Sequence, residues 1–142
     1  MKNILVPTDG SKPALRALEL ALSMAKQQAQ PCTVHVVNIQ SPIHSHNVNR
    51  FFSTETLQSY YQDEGQTVLE TLKPILDQAG VPFQTYTEVG AISDVVQGFI
   101  AEHNCDHLVM GTRGLSPVPG LILGSSATKI IQAVEIPVTL VK

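Results

Sequence analysis

The sequence predicts an α/β protein: a five-stranded, mainly parallel sheet with helices on both faces, in three layers. Three observations carry that expectation. Short runs rich in β-branched residues alternate with helix-length amphipathic stretches along the chain. Strands joined through helices imply right-handed crossovers, which make neighbouring strands parallel and cover both faces of the sheet. The length, 142 residues, suits one domain with one core, so residues 1–142 are assigned to a single domain.

The runs "NILVPT" (3 to 8) and "CTVHVVNI" (32 to 39) are bounded by turn formers and read as buried strands. Between them, "SKPALRALELALSMAKQ" sets Leu15, Leu18, Leu22 and Ala25 on one helical face, with Ser11 as N-cap and Pro13 in the first turn. Residues 40–53 lack a period and read as a loop. From Ser53 or Thr54 to Ala79, the residues Leu57, Tyr61, Val68, Leu72, Leu76 and Ala79 recur at roughly helical spacing, and Gly80 is the stop. Pro74 should bend or interrupt this long helix. "PFQTYTEV" (82 to 89) is the third strand, and Ile92, Val95, Val96, Phe99 and Ile100 mark the next helix. "DHLVMG" (106 to 111) is the fourth strand, a helix follows from about Ser125 to Val134, and "PVTLV" (137 to 141) is the fifth.

Composition narrows the function classes. With 43% hydrophobic and 15% charged residues the chain is an ordinary globular one. A net charge of −3 and a pI near 5.9 give no general field for a polyanion, so neither nucleic acid nor an anionic membrane surface is an expected partner. The apolar run at the N-terminus is too short for a signal-peptide core and no segment approaches membrane-spanning length, so a cytoplasmic location is expected. Cys32 and Cys105 belong to no CxxC pair and read as buried thiols.

In such sheets ligands lie beyond the carboxyl ends of the strands, where strand order reverses. There "PTDG" after strand one should meet "GTRG" after strand four. Gly111, Gly114 and Gly124 are spaced G-x2-G-x9-G, with Ser125 and Ser126 directly after. Read as chemistry, the glycines let backbone approach a phosphate, the helix start offers N–H groups, the serines add hydroxyls and Arg113 adds a charge-assisted bond. Read as structure, they make a turn and a cap. Asp9 is open in the same way: it would hold Mg²⁺ through water or orient a ribose or phosphate, or it is a turn residue.

Rival motifs are missing. There is no GxxxxGK[ST], no GxGxxG after strand one and no G-x-S-x-G elbow. The further acids and the lysine of a phosphoacceptor receiver are not at the other strand ends. His44 and His46 have no carboxylate or thiol cluster near them in sequence and read as a loop pair, and His35 reads as a packed, hydrogen-bonded residue.

Over nearly its whole length the chain resembles the universal stress protein family. The resemblance rests on "KNILVPTDGS", "VHVVN", and "CDHLVMGTRG" followed by the nine-residue spacer and "GSSATKIIQAVEIPVTLVK". It implies a Rossmann-like five-stranded parallel sandwich of the adenine nucleotide alpha hydrolase type, dimeric, binding ATP as a sensor or regulator. By that analogy Pro7, Thr8 and Asp9 lie against ribose and phosphates, and Val36 flanks the adenine. Met110, Gly111, Arg113 and Gly114 surround ribose and phosphate, and Gly124, Ser125 and Ser126 hold the phosphate tail. Two departures stand out: the family's second hydroxyl is displaced, with Ser126 and then Ala127 here, and the spacer lacks basic residues.

The expected function is that of an adenine-nucleotide-binding regulatory module of the stress response, taking ATP, ADP or AMP, with Mg²⁺ as a candidate companion. No general base is placed by the sequence, so at most slow hydrolysis is expected. The strand at 137–141 should form a sheet edge and pair with its copy in a homodimer. The alternative is a dimer that acts through protein contacts without nucleotide.

Overall fold

The computed structural model describes residues 1–42, 50–113 and 123–142. The strands are β1 (Asn3–Pro7), β2 (Thr33–Gln40), β3 (Phe83–Val89), β4 (His107–Gly111) and β5 (Val138–Val141). The helices with both ends among the described residues are α1 (Lys12–Lys26), α2 (Thr54–Ala79), α3 (Ile92–His103) and α4 (Ser125–Ala133); in the stretch 40–53, expected as a loop, Arg50 and Phe51 are helical and residues 43–49 lie outside the described residues. All ladders are parallel, in the order β3-β2-β1-β4-β5. The expected fold class is the observed one.

Strand alternation splits the core in two. Ile4, Val6, Val34 and Val36 point to the face covered by α1 and α2, where Leu18, Leu22, Leu69 and Leu76 meet them. Leu5, Val37, Leu108 and Met110 point to the opposite face, against Val96, Phe99, Ala127 and Ile130 of α3 and α4. Both faces of β1 are therefore buried, which is why its sequence reads as an unbroken apolar run.

Local chemistry sets the helix ends. Ser11 Oγ accepts from the Ala14 N–H at 3.3 Å and caps α1, with proline in its first turn. Gly80 ends α2 in the left-handed region at φ 71°, where a side chain would be strained. Pro74 was expected to bend or interrupt α2, but the helix runs through it from Thr54 to Ala79. Pro74 is exposed, while Leu72 and Leu76 on either side are buried against the sheet and hold the helix across the lost hydrogen bond. At Gly65 a Cβ would run into Thr87 Cγ2 and come within 2.6 Å of its Oγ1, so the glycine lets α2 settle onto β3. Among the described residues no helix is long and apolar enough to cross a membrane.

Candidate functional site

Strand order turns around at β1. From there the chain steps outward to β2 and β3 on one side, then returns to lay β4 on the other. The carboxyl ends of β1 and β4 thus lead into separate turns, at the end of the sheet where open α/β folds receive ligands.

The β1 side is tightly held. The Thr8 N–H donates to the Val37 carbonyl at 2.9 Å, continuing the ladder one residue beyond the strand. The Asn38 amide donates to the Thr8 carbonyl at 3.0 Å, and its own oxygen accepts from Gln40 Nε2 at 2.6 Å. Thr8 is therefore pinned from both of its peptide groups, and both it and Asn38 are buried. Beyond it Asp9 Oδ1 accepts from the Ser11 N–H at 2.9 Å, an Asx turn, and Gly10 takes φ 82°. Pro7 is the last residue of β1 and is buried.

On the β4 side Met110 is buried in the core and Gly111 packs against the first turn of α1. A Cβ there would stand 3.0 Å from Pro13 carbon atoms and 3.1 Å from the Ala14 nitrogen. The absent side chain at 111 lets the two turns close on each other, which gives this glycine a packing reason. The Thr112 N–H donates to the Val141 carbonyl at 2.9 Å, while its carbonyl accepts from the Gly124 N–H at 2.6 Å. That second bond brings the start of α4 back to the end of β4.

Helix α4 begins with Gly124 at the cap position and no side-chain cap bond, and Ser125 and Ser126 in its first turn are exposed. Its first N–H groups carry the positive end of the helix dipole, without a side-chain acceptor among the described residues. Ala127 is buried, 2% exposed, in the core cluster with Leu108 and Ile130. The Thr128 hydroxyl donates back to the Gly124 carbonyl at 3.0 Å.

The expected residues therefore fall into four groups. Pro7 and Met110 are buried near the carboxyl ends of β1 and β4. Thr8, Asp9, Gly111, Gly124, Ser125 and Ser126 sit on the turns at one end of the sheet, and exposed Arg113 follows Thr112 on the β4 turn. Val36 is packed in the core on the α1 and α2 side with no surface exposed. Gly114, like His44 and His46, lies outside the described residues. Sequence reasoning missed Asn38 and Gln40. The available signal was an asparagine ending an apolar buried strand, since a buried amide must find partners.

The titratable groups away from these turns have ordinary explanations. His35 is a packed residue, as expected, with Nε2 3.0 Å from Asn3 Oδ1 and Nδ1 3.1 Å from the Tyr86 hydroxyl. Burial, helped by neighbouring His103, pushes its pKa down. Both cysteines are buried, and burial, with Asp106 adding to it, raises the Cys105 thiol to about 11. Among the described residues no group of three or more histidine, cysteine or acidic side chains could hold a metal ion.

Similarity to known proteins agrees with this geometry. The chain is 31% identical over 142 residues to a universal stress protein of Methanocaldococcus jannaschii, covering 99% of this chain and 82% of that one. The fold is shared with a universal stress protein solved in complex with cAMP, at TM-score 0.72 and 23% identity, covering 99% and 97% of the two chains. It is shared also with an Arabidopsis thaliana family member with AMP bound, at TM-score 0.65 and 20% identity, covering 100% and 92%. The family pattern itself, described as the universal stress protein family, matches residues 1–142. With the sheet order, the separate β1 and β4 turns and the glycine spacing all accounted for, the chain belongs to the universal stress protein family.

Proposed function

We propose that this protein binds an adenine nucleotide in the crevice between the β1 and β4 turns and acts as a regulatory module of the stress response. One observation carries the reading: the Thr112–Gly124 backbone bond holds the start of α4, which has no side-chain cap among the described residues, at the end of β4, whose Gly111 packs on Pro13 in the first turn of α1. Free N–H groups at a helix start, two serine hydroxyls and Arg113 are the donors a phosphate chain needs. Thr8 and Asp9 face the ribose and the proximal phosphates. Where Mg²⁺ accompanies the nucleotide, Asp9 is the carboxylate to hold it through water, with Oδ1 fixed by the Ser11 N–H. The cAMP- and AMP-bound proteins of the same fold support an adenine base over other ligands.

Binding rather than rapid turnover is the proposed role, since among the described residues no general base is positioned beside the donors, and slow hydrolysis is the upper expectation. The family's second hydroxyl would fall at position 127, where a buried alanine stands. The grip on the last phosphate is therefore the weakest, and ADP or AMP competes with ATP. The output is a homodimer formed through β5, an edge strand whose Leu140 is exposed, and a protein partner that reads the nucleotide state.

Calorimetric titration of nucleotide-stripped protein with ATP and Mg²⁺, beside ADP and AMP, tests the reading. Micromolar affinity, about −8 kcal/mol, is expected, and the order of the three ligands measures the cost of Ala127. Absence of heat with all three in folded protein rejects the nucleotide reading and leaves the dimer surface as the functional one.

A further inference from the structure

The edge of the sheet opposite β5 is the longer one. β3 has seven residues against four in β5, and the two stand at opposite ends of the strand order. Natural edge strands are blunted by proline, lysine, a bulge or a covering element. "FQTYTEV" carries neither proline nor lysine, and its register with β2 is unbroken. Gln84, Thr85 and Glu88 are exposed.

Backbone polarity along this edge is fixed by the pairing. In a parallel ladder, successive residues alternate between turning both peptide groups toward the partner and turning both away. The Val34 N–H donates to the Pro82 carbonyl at 2.9 Å, and the Gly90 N–H donates to the Gln40 carbonyl at 3.0 Å. With Val34 opposite Phe83 and Gln40 opposite Val89, the groups of Gln84, Tyr86 and Glu88 face β2. Those of Phe83, Thr85, Thr87 and Val89 face away from β2, toward an edge that no other strand among the described residues pairs.

We propose that β3 pairs antiparallel with β3 of a second copy about a two-fold axis at Tyr86, a second self-association surface independent of the crevice and of β5. About that axis Thr85 stands opposite Thr87 and Phe83 opposite Val89. All four outward-turned residues then exchange backbone hydrogen bonds with the mate. Tyr86 meets Tyr86 in a non-hydrogen-bonded pair, and Gln84 meets Glu88, an amide against a carboxylate. Threonine pairs and aromatic with β-branched pairs are favourable across strands, and no like charges stand opposite. A second copy is the occupant because the same seven residues, reversed, supply a matching group at every position, which is the condition for an isologous contact. Beside the edge, a groove of about 350 Å³ lies between α2 and β3, with Leu69, Leu76 and Phe83 among its lining and Glu70 and Lys73 at its rim. A mate on β3 covers it.

Sedimentation of the full chain from micromolar to millimolar concentration tests this in a Leu140→Lys background, which removes pairing through β5. The expected result is a concentration-dependent species of twice the 15.4 kDa protomer. Adding Thr85→Pro should return it to protomer mass, because proline deletes an outward N–H and leaves the β2 ladder intact; Thr85→Val should not. A Leu140→Lys protein that is monomeric throughout, or one whose association Thr85→Pro leaves unchanged while folded, overturns the proposal. The register has its own test. Tyr86→Cys should form an inter-copy disulfide on mild oxidation and Thr85→Cys should not, and the reverse pattern rejects the axis at Tyr86.

Discussion

Asn38 spends its amide on the Thr8 carbonyl and its oxygen on Gln40, so the shape of the β1 turn depends on a side chain from the neighbouring strand. Asn38→Ala leaves a buried carbonyl unpaired, and a loss of about 1–3 kcal/mol in denaturant unfolding is expected together with weaker nucleotide affinity. Gly124→Val separates the two effects. Gly124 has φ −69°, a conformation open to any residue, so the variant should fold and melt like wild type. The proposed phosphate approach is then blocked, and calorimetry should read a loss of at least tenfold in ATP affinity; unchanged affinity would remove α4 from the site. His35 supplies a pH test. Its pKa is lowered in the folded state from an ordinary 6.5, so the unfolded chain takes up the proton first. Stability contributed by this residue is full above pH 6.5 and declines as pH falls toward the lowered value. Urea unfolding between pH 7.5 and 5 should show that decline, and His35→Gln should flatten it. The sequence marked His35 as packed because it interrupts an apolar strand. It did not mark Asn38, whose meaning lies in a contact thirty residues away.

Elements were legible where period and punctuation agree. Ser11 capped α1, Gly80 stopped α2, and strand limits moved by about one residue, the ordinary uncertainty of such boundaries. Pro74 does not interrupt α2, because propensity is local, whereas the helix is held by packing on both sides of the proline. Replacing it with alanine restores a helix hydrogen bond without disturbing the core, and a gain on the order of 1–3 kcal/mol in thermal unfolding is expected. Gly65 behaves in the opposite sense. Alanine is the better helix former, yet Gly65→Ala should destabilise, since its methyl meets Thr87. Thr87→Ala should relieve much of that cost, and a double-mutant cycle that came out additive would mean the contact is not tight. No one-dimensional period reports such a fit, because it depends on how far α2 sinks onto β3.

For the molecule as a whole, topology was legible because alternation of strand and helix leaves few arrangements, and the crevice followed from topology. The packing of the expected site residues was less legible: Val36, expected against a base, has no exposed surface, and Gly111 sits close against the first turn of α1. Ligand binding to the folded state alone should raise the single unfolding transition, by about 4 kcal/mol at a thousandfold excess over Kd. Calorimetric melts with and without ATP measure it. The β1–β4 seam has a further consequence in time. Ile4 pairs with His107 and Leu5 with Leu108, partners about a hundred residues apart, and long-range parallel pairing of this kind is slow to form. Strands β1, β2 and β3 can assemble while the rest of the chain is still being synthesised, but the β1–β4 seam is incomplete until β4 docks. On the proposed function, competence to hold a nucleotide would therefore arrive last, and in the cell the nucleotide would select finished molecules from those still folding.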